Sequence, residues 1–208
     1  MIPGEHNQDY RKLSKILNKL KYKKPLDIGC GEGLYLKILK NSFGVDISIN
    51  ALKKAKKNSE NVVLADARRL PFKEKSFDLI LSVEVVTHID KKFWKEVFNE
   101  IDRVLKKNGI IILSMHNKKR YNKEISELID GIKIFWANVN EVLKFLKKYK
   151  IEKIMYVNIL PQRLQSFEFF SKHKLLFKIL AIVEDLISIV PFLNKKSLEF
   201  IVIARKKK

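Results

Sequence analysis

The octapeptide LDIGCGEG, residues 26–33, decides how the rest of the chain is read. Leu26 and Ile28 belong to a short apolar run of strand length, and Gly29, Gly31 and Gly33 follow at every second position before a stretch of helical periodicity. A glycine-rich turn between a buried strand and a helix lets the backbone take left-handed conformations and lets a ligand come close to it. The GxGxG spacing departs from the GxGxxG of dinucleotide-binding turns. Asp27, at the end of the strand, would repel a pyrophosphate and suits a cationic group instead. Cys30, flanked by two of the glycines, reads as a small side chain that fits the turn rather than as a redox centre.

Outward from this turn, apolar runs of strand length alternate with helical stretches, the order that builds a parallel sheet with crossover helices. The pattern predicts a helix over 7–22 ended by Pro25, strands at 26–29, 43–46, 62–65 and 77–82, a helix over 34–40, and a lysine-rich helix opened by Ser48 or Asn50. Asp90 is placed to cap a helix whose face carries Phe93, Trp94, Val97, Phe98, Ile101, Val104 and Leu105, with Asn108-Gly109 as its stop. The run Ile110, Ile111, Ile112, Leu113 makes a strand over 110–115 covered on both faces. A polar loop at 117–122, a helix over 138–148 and strands at 151–157 and 198–204 complete the pattern. Trp94 is expected in the core and Trp136 in a pocket wall.

Composition bounds the class. At 208 residues with 46% apolar content the chain fits a single domain with a real core. We divide it into an N-terminal helix (1–24), a core (25–157), a helical cap inserted at 158–197, and a last strand with a basic tail (198–208). One cysteine and four histidines without an HExxH pair give no expected metal site and no disulfide. No secretory h-region or spanning segment is seen, so a cytoplasmic location is expected, with peripheral membrane association as the alternative. Forty-three Lys and Arg against 23 Asp and Glu leave a net charge of +20, a field that attracts RNA or anionic lipid.

Three acidic strand ends share a register with the glycine turn. Asp46 ends the second strand, where a carboxylate accepts both hydroxyls of an adenosine ribose. Asp66 follows the third strand, where it would accept from an adenine amino group while the Ala67 amide serves a ring nitrogen. Together with Asp27 they describe a nucleoside with a positively charged tail.

On these residues the chain resembles the class I S-adenosylmethionine-dependent methyltransferases, in the type 11 branch that includes quinone-biosynthesis enzymes. LDIGCGEG resembles their first motif, GVDIS (44–48) the second, ADARRLPFKEKSFDLILSVEVVTHI (65–89) the third and fourth, and IDRVLKKNGIIILSMHN (101–117) the helix, turn and strand that follow. The resemblance is strong over 26–117 and weak over 139–157. It implies a Rossmann-like α/β fold: a seven-stranded, mostly parallel sheet with helices on both faces, an antiparallel last strand and a helical cap. The cofactor would be S-adenosyl-L-methionine, its methionine portion on Asp27 and the Gly29, Cys30, Gly31, Gly33 loop, its ribose on Asp46 and its adenine on Asp66 and Ala67. Ile47 would pack on the adenine, and Ser82 and Val83 would offer backbone carbonyls to the ammonium. Many relatives carry Glu-His where this chain has Thr87-His88.

A sulfonium leaves as a neutral thioether, so methyl transfer rests largely on alignment and water exclusion. A base is needed only for a protonated nucleophile, and His88 and His116, at the carboxyl edge where open sheets bind ligands, are the candidates. The expected function is transfer to a small-molecule or lipid-like acceptor, the apolar 158–197 segment serving as lid. RNA, tRNA included, is the alternative acceptor; a nicotinamide-binding Rossmann protein and a noncatalytic scaffold are the rivals from other classes.

Overall fold

The computed structural model describes residues 8–121, 127–129, 132–157 and 197–208. The expected cap at 158–197 lies, apart from Ser197, outside the described residues. Nine strands are described: β1 (Pro25–Ile28), β2 (Phe43–Asp46), β3 (Val62–Leu64), β4 (Phe77–Val83), β5 (Leu105–His116), β6 (Glu127–Ile129), β7 (Ile132–Ile134), β8 (Tyr149–Val157) and β9 (Glu199–Lys206). Seven of them form one sheet in the order β3-β2-β1-β4-β5-β9-β8, and β6 pairs with β7 as a separate hairpin. Strands β3 to β5 run parallel with β1, whereas β9 is antiparallel to both neighbours. This is the seven-stranded Rossmann-like sheet with its antiparallel last strand.

The unbroken apolar run in β5 is explained by its two covered faces. Ile111, Leu113 and Met115 join α3 (Trp94–Val104) and α5 (Val139–Leu143) in one cluster, while Ile110 and Ile112 face Leu13 and Leu17 of α1 (Gln8–Leu17) on the other side. Full burial of each such side chain contributes about 1.5–3 kcal/mol. Trp94 lies in this core, its Nε1 donating to the Ile89 carbonyl at 2.8 Å. Ser48 caps α2 (Ile49–Ala55) by accepting from the Ala51 amide, and Asp90 accepts from the Lys92 amide to open a short 3₁₀ turn ahead of α3.

Five elements differ from the sequence pattern. Residues 34–40 form successive turns instead of a helix: Gly31 and Gly33 hold φ of +52° and +85° up to its start, which leaves no capping residue, yet Tyr35, Leu36 and Leu39 still bury. α3 is not stopped by Asn108-Gly109: Leu105 is already extended and opens β5, and Asn108, at φ +62°, lies within that strand where the register between β4 and β5 slips. The expected loop at 117–122 contains α4 (Lys118–Tyr121), and the hairpin β6–β7 was not foreseen. α5 is one turn of capped helix, Asn138 and Glu141 making a reciprocal capping box, followed by turns up to β8.

Candidate active site

The site lies at the carboxyl ends of β1, β2 and β4, where the strand order diverges on either side of β1. Gly29 takes φ +69°, and its amide and that of Cys30 both donate to the Val45 carbonyl, at 2.7 and 2.9 Å. These bonds fold the glycine loop across the end of β2 and bring it to Asp46. The Asp46 carboxylate accepts from the Gly31 amide at 2.8 Å through one oxygen and from the Ser48 amide at 2.8 Å through the other. Asp46 is therefore fixed in place and retains lone pairs directed at the pocket it lines.

Two cavities meet at Gly29 and Val83. The larger, about 550 Å³, is lined by Asp46, Ile47, Asp66, Ala67, Val83 and His88 among others. The smaller, about 390 Å³, is lined by Asp27, Gly29, Cys30, Gly31 and Val83 together with Glu32, Leu34 and Tyr35. Ile47 is 76% exposed, an apolar side chain standing unburied at the cavity rim. A Cβ added at Gly31 would meet no atom within 4 Å, so this glycine borders open space, whereas at Gly29 it would overlap Val85.

Asp27 is 2% exposed, and its Oδ2 has no hydrogen-bond partner among the described residues. Burial, reinforced by Asp46, holds its carboxyl well above the usual carboxylate range. An orphaned buried carboxyl at the floor of the smaller cavity is stabilised by an incoming cation, which fits the ammonium of an amino-acid tail. Burial likewise pushes the Cys30 thiol up, with Asp27 and Asp46 adding to it, which disfavours the thiolate.

Asp66 stands differently. The Arg68 guanidinium grips its carboxylate through Nε at 2.9 Å and Nη2 at 2.6 Å, and the Arg68 amide adds a bond at 2.8 Å. That grip holds Asp66 below the usual carboxylate range. The same guanidinium lies 4.7 Å from the centre of the Phe93 ring, and both line the larger cavity. Ala67 lines it as well. The sequence carries no site signal for Arg68 beyond an Asp two residues before it, and Phe93, expected on the apolar face of the helix, ends the 3₁₀ turn ahead of α3 and lines the cavity instead. Ser82 is fully buried in β4 and lines neither cavity, its hydroxyl lacking a partner among the described residues; Val83 lines both.

The two histidines are brought together, with ring centroids 6.5 Å apart and nearly perpendicular. His88 is exposed and lines the larger cavity, its Nδ1 3.4 Å from the Lys133 carbonyl. His116 lies deeper, its ring 5.3 Å from that of Trp136, which is 2% exposed and lines neither cavity, so it packs against His116 and is not the expected pocket wall. Burial pulls His116 below the usual imidazole value, with Glu84 opposing. Glu84, at φ +60°, and Glu199 flank His116 Nδ1 at 3.8 and 4.0 Å. Neither glutamate carried a sequence signal, because strand pairing alone makes them neighbours.

Residues 26–113 match the family model described as a methyltransferase domain. An uncharacterized protein of Methanocaldococcus jannaschii is 35% identical over 156 residues, covering 72% of this chain and 64% of that protein. The chain spans 47–64% of the length of the three M. jannaschii relatives it matches. The tRNA (carboxymethyluridine(34)-5-O)-methyltransferase of Arabidopsis thaliana is 33% identical over 93 residues, 43% of this chain and 23% of that enzyme. In three dimensions the chain superposes on an S-adenosylmethionine-dependent methyltransferase from Mesorhizobium loti with a TM-score of 0.68 at 15% identity, covering 96% of this chain and 98% of that one. The glycine turn, the acidic strand ends and the sheet order thus meet in one likeness: residues 26–113 match the methyltransferase-domain family, and the fold is the one that S-adenosylmethionine-dependent methyltransferases adopt.

Proposed function

We propose that the chain is an S-adenosylmethionine-dependent methyltransferase whose acceptor enters the larger cavity past His88 and Phe93. The observation that carries this reading is the orphaned Asp27 carboxyl at one end of a continuous cleft, with the fixed Asp46 carboxylate and exposed Ile47 further along it. When bound, the cofactor supplies a methyl group already activated on a sulfonium. Asp27 would meet the ammonium, Asp46 the ribose, and Ile47, Asp66 and Ala67 the adenine. Because Arg68 already grips Asp66, an adenine amino group would share that carboxylate with it. The remaining work is alignment and exclusion of water, which Ile28, Val85, Ile89 and Phe93 perform as apolar walls. A nucleophile that arrives protonated would find His88 in the wall and His116 behind it.

A small-molecule or lipid-like acceptor follows from those apolar walls. RNA is the second reading, favoured by the +20 charge and by cations stacked on aromatic rings at the mouth: Arg68 and Lys92 on Phe93, and Lys133 on Phe135. The named activity of the Arabidopsis relative points the same way. Calorimetric titration with S-adenosylmethionine and S-adenosylhomocysteine, on wild type and Asp46→Ala, tests the cofactor site; absence of heat with both nucleosides would overturn it. Transfer of labelled methyl to lipid extracts and to tRNA then separates the acceptors. An RNA acceptor would also bind with a log-log salt slope of several units.

A further inference from the structure

Glu84, His116 and Glu199 come from three neighbouring strands. Glu84 follows β4, His116 ends β5, and Glu199 opens the antiparallel β9, directly opposite His116 in the register. One ligand atom from each lies within 4.8 Å of the others. His116 Nδ1 is shielded from solvent and has no hydrogen-bond partner among the described residues, though two carboxylate oxygens face it at 3.8 and 4.0 Å. Those separations are too long for hydrogen bonds. Glu199 is 5% exposed, with Ser114 Oγ donating to its Oε2 at 3.5 Å, and Glu84 is half-buried with its amide bonded to the Ser114 carbonyl at 3.0 Å. The backbone positions of all three donors are therefore fixed by the sheet.

We propose that Glu84, His116 and Glu199 form a binding site for one divalent cation of the Mn²⁺, Fe²⁺ or Zn²⁺ class. Two donors bound to one such ion at about 2.1 Å stand roughly 3 to 3.4 Å apart, so closing the site takes side-chain shifts of about half an ångström to one ångström. One imidazole nitrogen with two carboxylates selects these borderline ions over Mg²⁺, which keeps to oxygen and water. Ligation through Nδ1 places the ring proton on Nε2. Three protein donors leave coordination positions open, as catalytic sites do and closed structural sites do not. Glu84 also lines the larger cavity, whereas His116 and Glu199 line neither cavity, so the cluster borders that cavity through Glu84. Binding of the ion does not rest on the proposed methyl transfer.

The test uses the full chain, stripped with a chelator and titrated with Mn²⁺, the bound ion counted from loss of the free-ion paramagnetic resonance signal and the heat measured in parallel. Zn²⁺ is titrated separately by calorimetry. The expected result is one ion per chain, with affinity falling at least about tenfold in His116→Gln and in Glu199→Gln, while the metal-free melting midpoints stay near wild type. Should either buried variant fail to fold, Glu84→Gln gives the same readout from a half-buried position. Wild type that binds neither ion, or that binds no better than the folded variants, would overturn the site. S-adenosylhomocysteine titration of the same samples keeps the two readings apart: cofactor binding without ion binding sinks this proposal alone, and ion binding without cofactor binding sinks the methyltransferase reading alone.

Discussion

Replacing Gly29 with alanine tests the claim that the glycine loop is held by geometry and not by composition. A side chain at φ +69° costs roughly 1–2 kcal/mol in the left-handed region. The new Cβ would also meet Val85, whose Cγ1 and Cβ lie 3.0 and 3.1 Å away with Cγ2 nearer still. Val85 is β-branched and stiff, so it cannot swing clear, and the overlap adds about 1–3 kcal/mol. Gly29→Ala should therefore lose about 2–5 kcal/mol of stability in urea unfolding followed by tryptophan fluorescence. Val85→Ala alone removes two methyl groups from a half-buried site and should cost about 1 kcal/mol. In the double variant the overlap disappears, so the two losses should fall short of their sum by about 1–3 kcal/mol, leaving only the backbone cost and the truncation. Losses that add within about 0.5 kcal/mol would refute the overlap. A cost below about 1 kcal/mol for Gly29→Ala alone would refute the left-handed conformation itself.

Asp46→Ala removes the acceptor for the Gly31 and Ser48 amides as well as the ribose contact, and should weaken S-adenosylhomocysteine binding by about 10- to 100-fold in calorimetry. Ile47→Ala should leave the melting midpoint unchanged because Ile47 is 76% exposed, yet lower cofactor affinity several-fold, roughly 1 kcal/mol of lost apolar contact. Glu100 accepts from the Leu70 amide and from Arg103, whose guanidinium also ties down the Leu70 and Phe72 carbonyls, and this holds the Glu100 carboxyl below the usual range. A lowered native value gives stability that is complete above the unfolded glutamate pKa of about 4.3 and is lost as pH falls through the native value. Glu100→Gln should thus cost about 1 kcal/mol at neutral pH and flatten the acid limb of a stability-against-pH curve below about pH 4.

What the sequence made legible follows from range. The strands β1 to β4, the Ser48 cap and the Asp46 position are all set by local apolar period and neighbouring residues, and the structure places each within a residue or two, whereas β5 starts at Leu105, five residues before the expected 110, and Asp90 caps the 3₁₀ turn ahead of α3. Residues 34–40 carry helical periodicity but no N-cap, and burial of Tyr35, Leu36 and Leu39 is satisfied by turns as well as by a helix. The β6–β7 hairpin hid because each strand is three residues long, below what an alternation pattern resolves. The grip of Arg68 on Asp66 is a rotamer outcome, and the approach of Glu84 and Glu199 to His116 depends on β9 entering between β5 and β8. No spacing along the chain encodes that insertion.

The pairing of β9 has a consequence for how such a scaffold changes. Glu199 is the register partner of both His116 and Val157, so the chain leaves β8 and enters β9 at adjacent points on the rim that carries the histidines. Whatever length of polypeptide joins those points begins and ends beside His116, on the far side of β5 from the glycine turn. Doubling a connection of this kind costs only about 0.6 kcal/mol of closure entropy. The connection between 157 and 199 is thus a place where length can change in evolution or design while the glycine turn and Asp46 stay untouched.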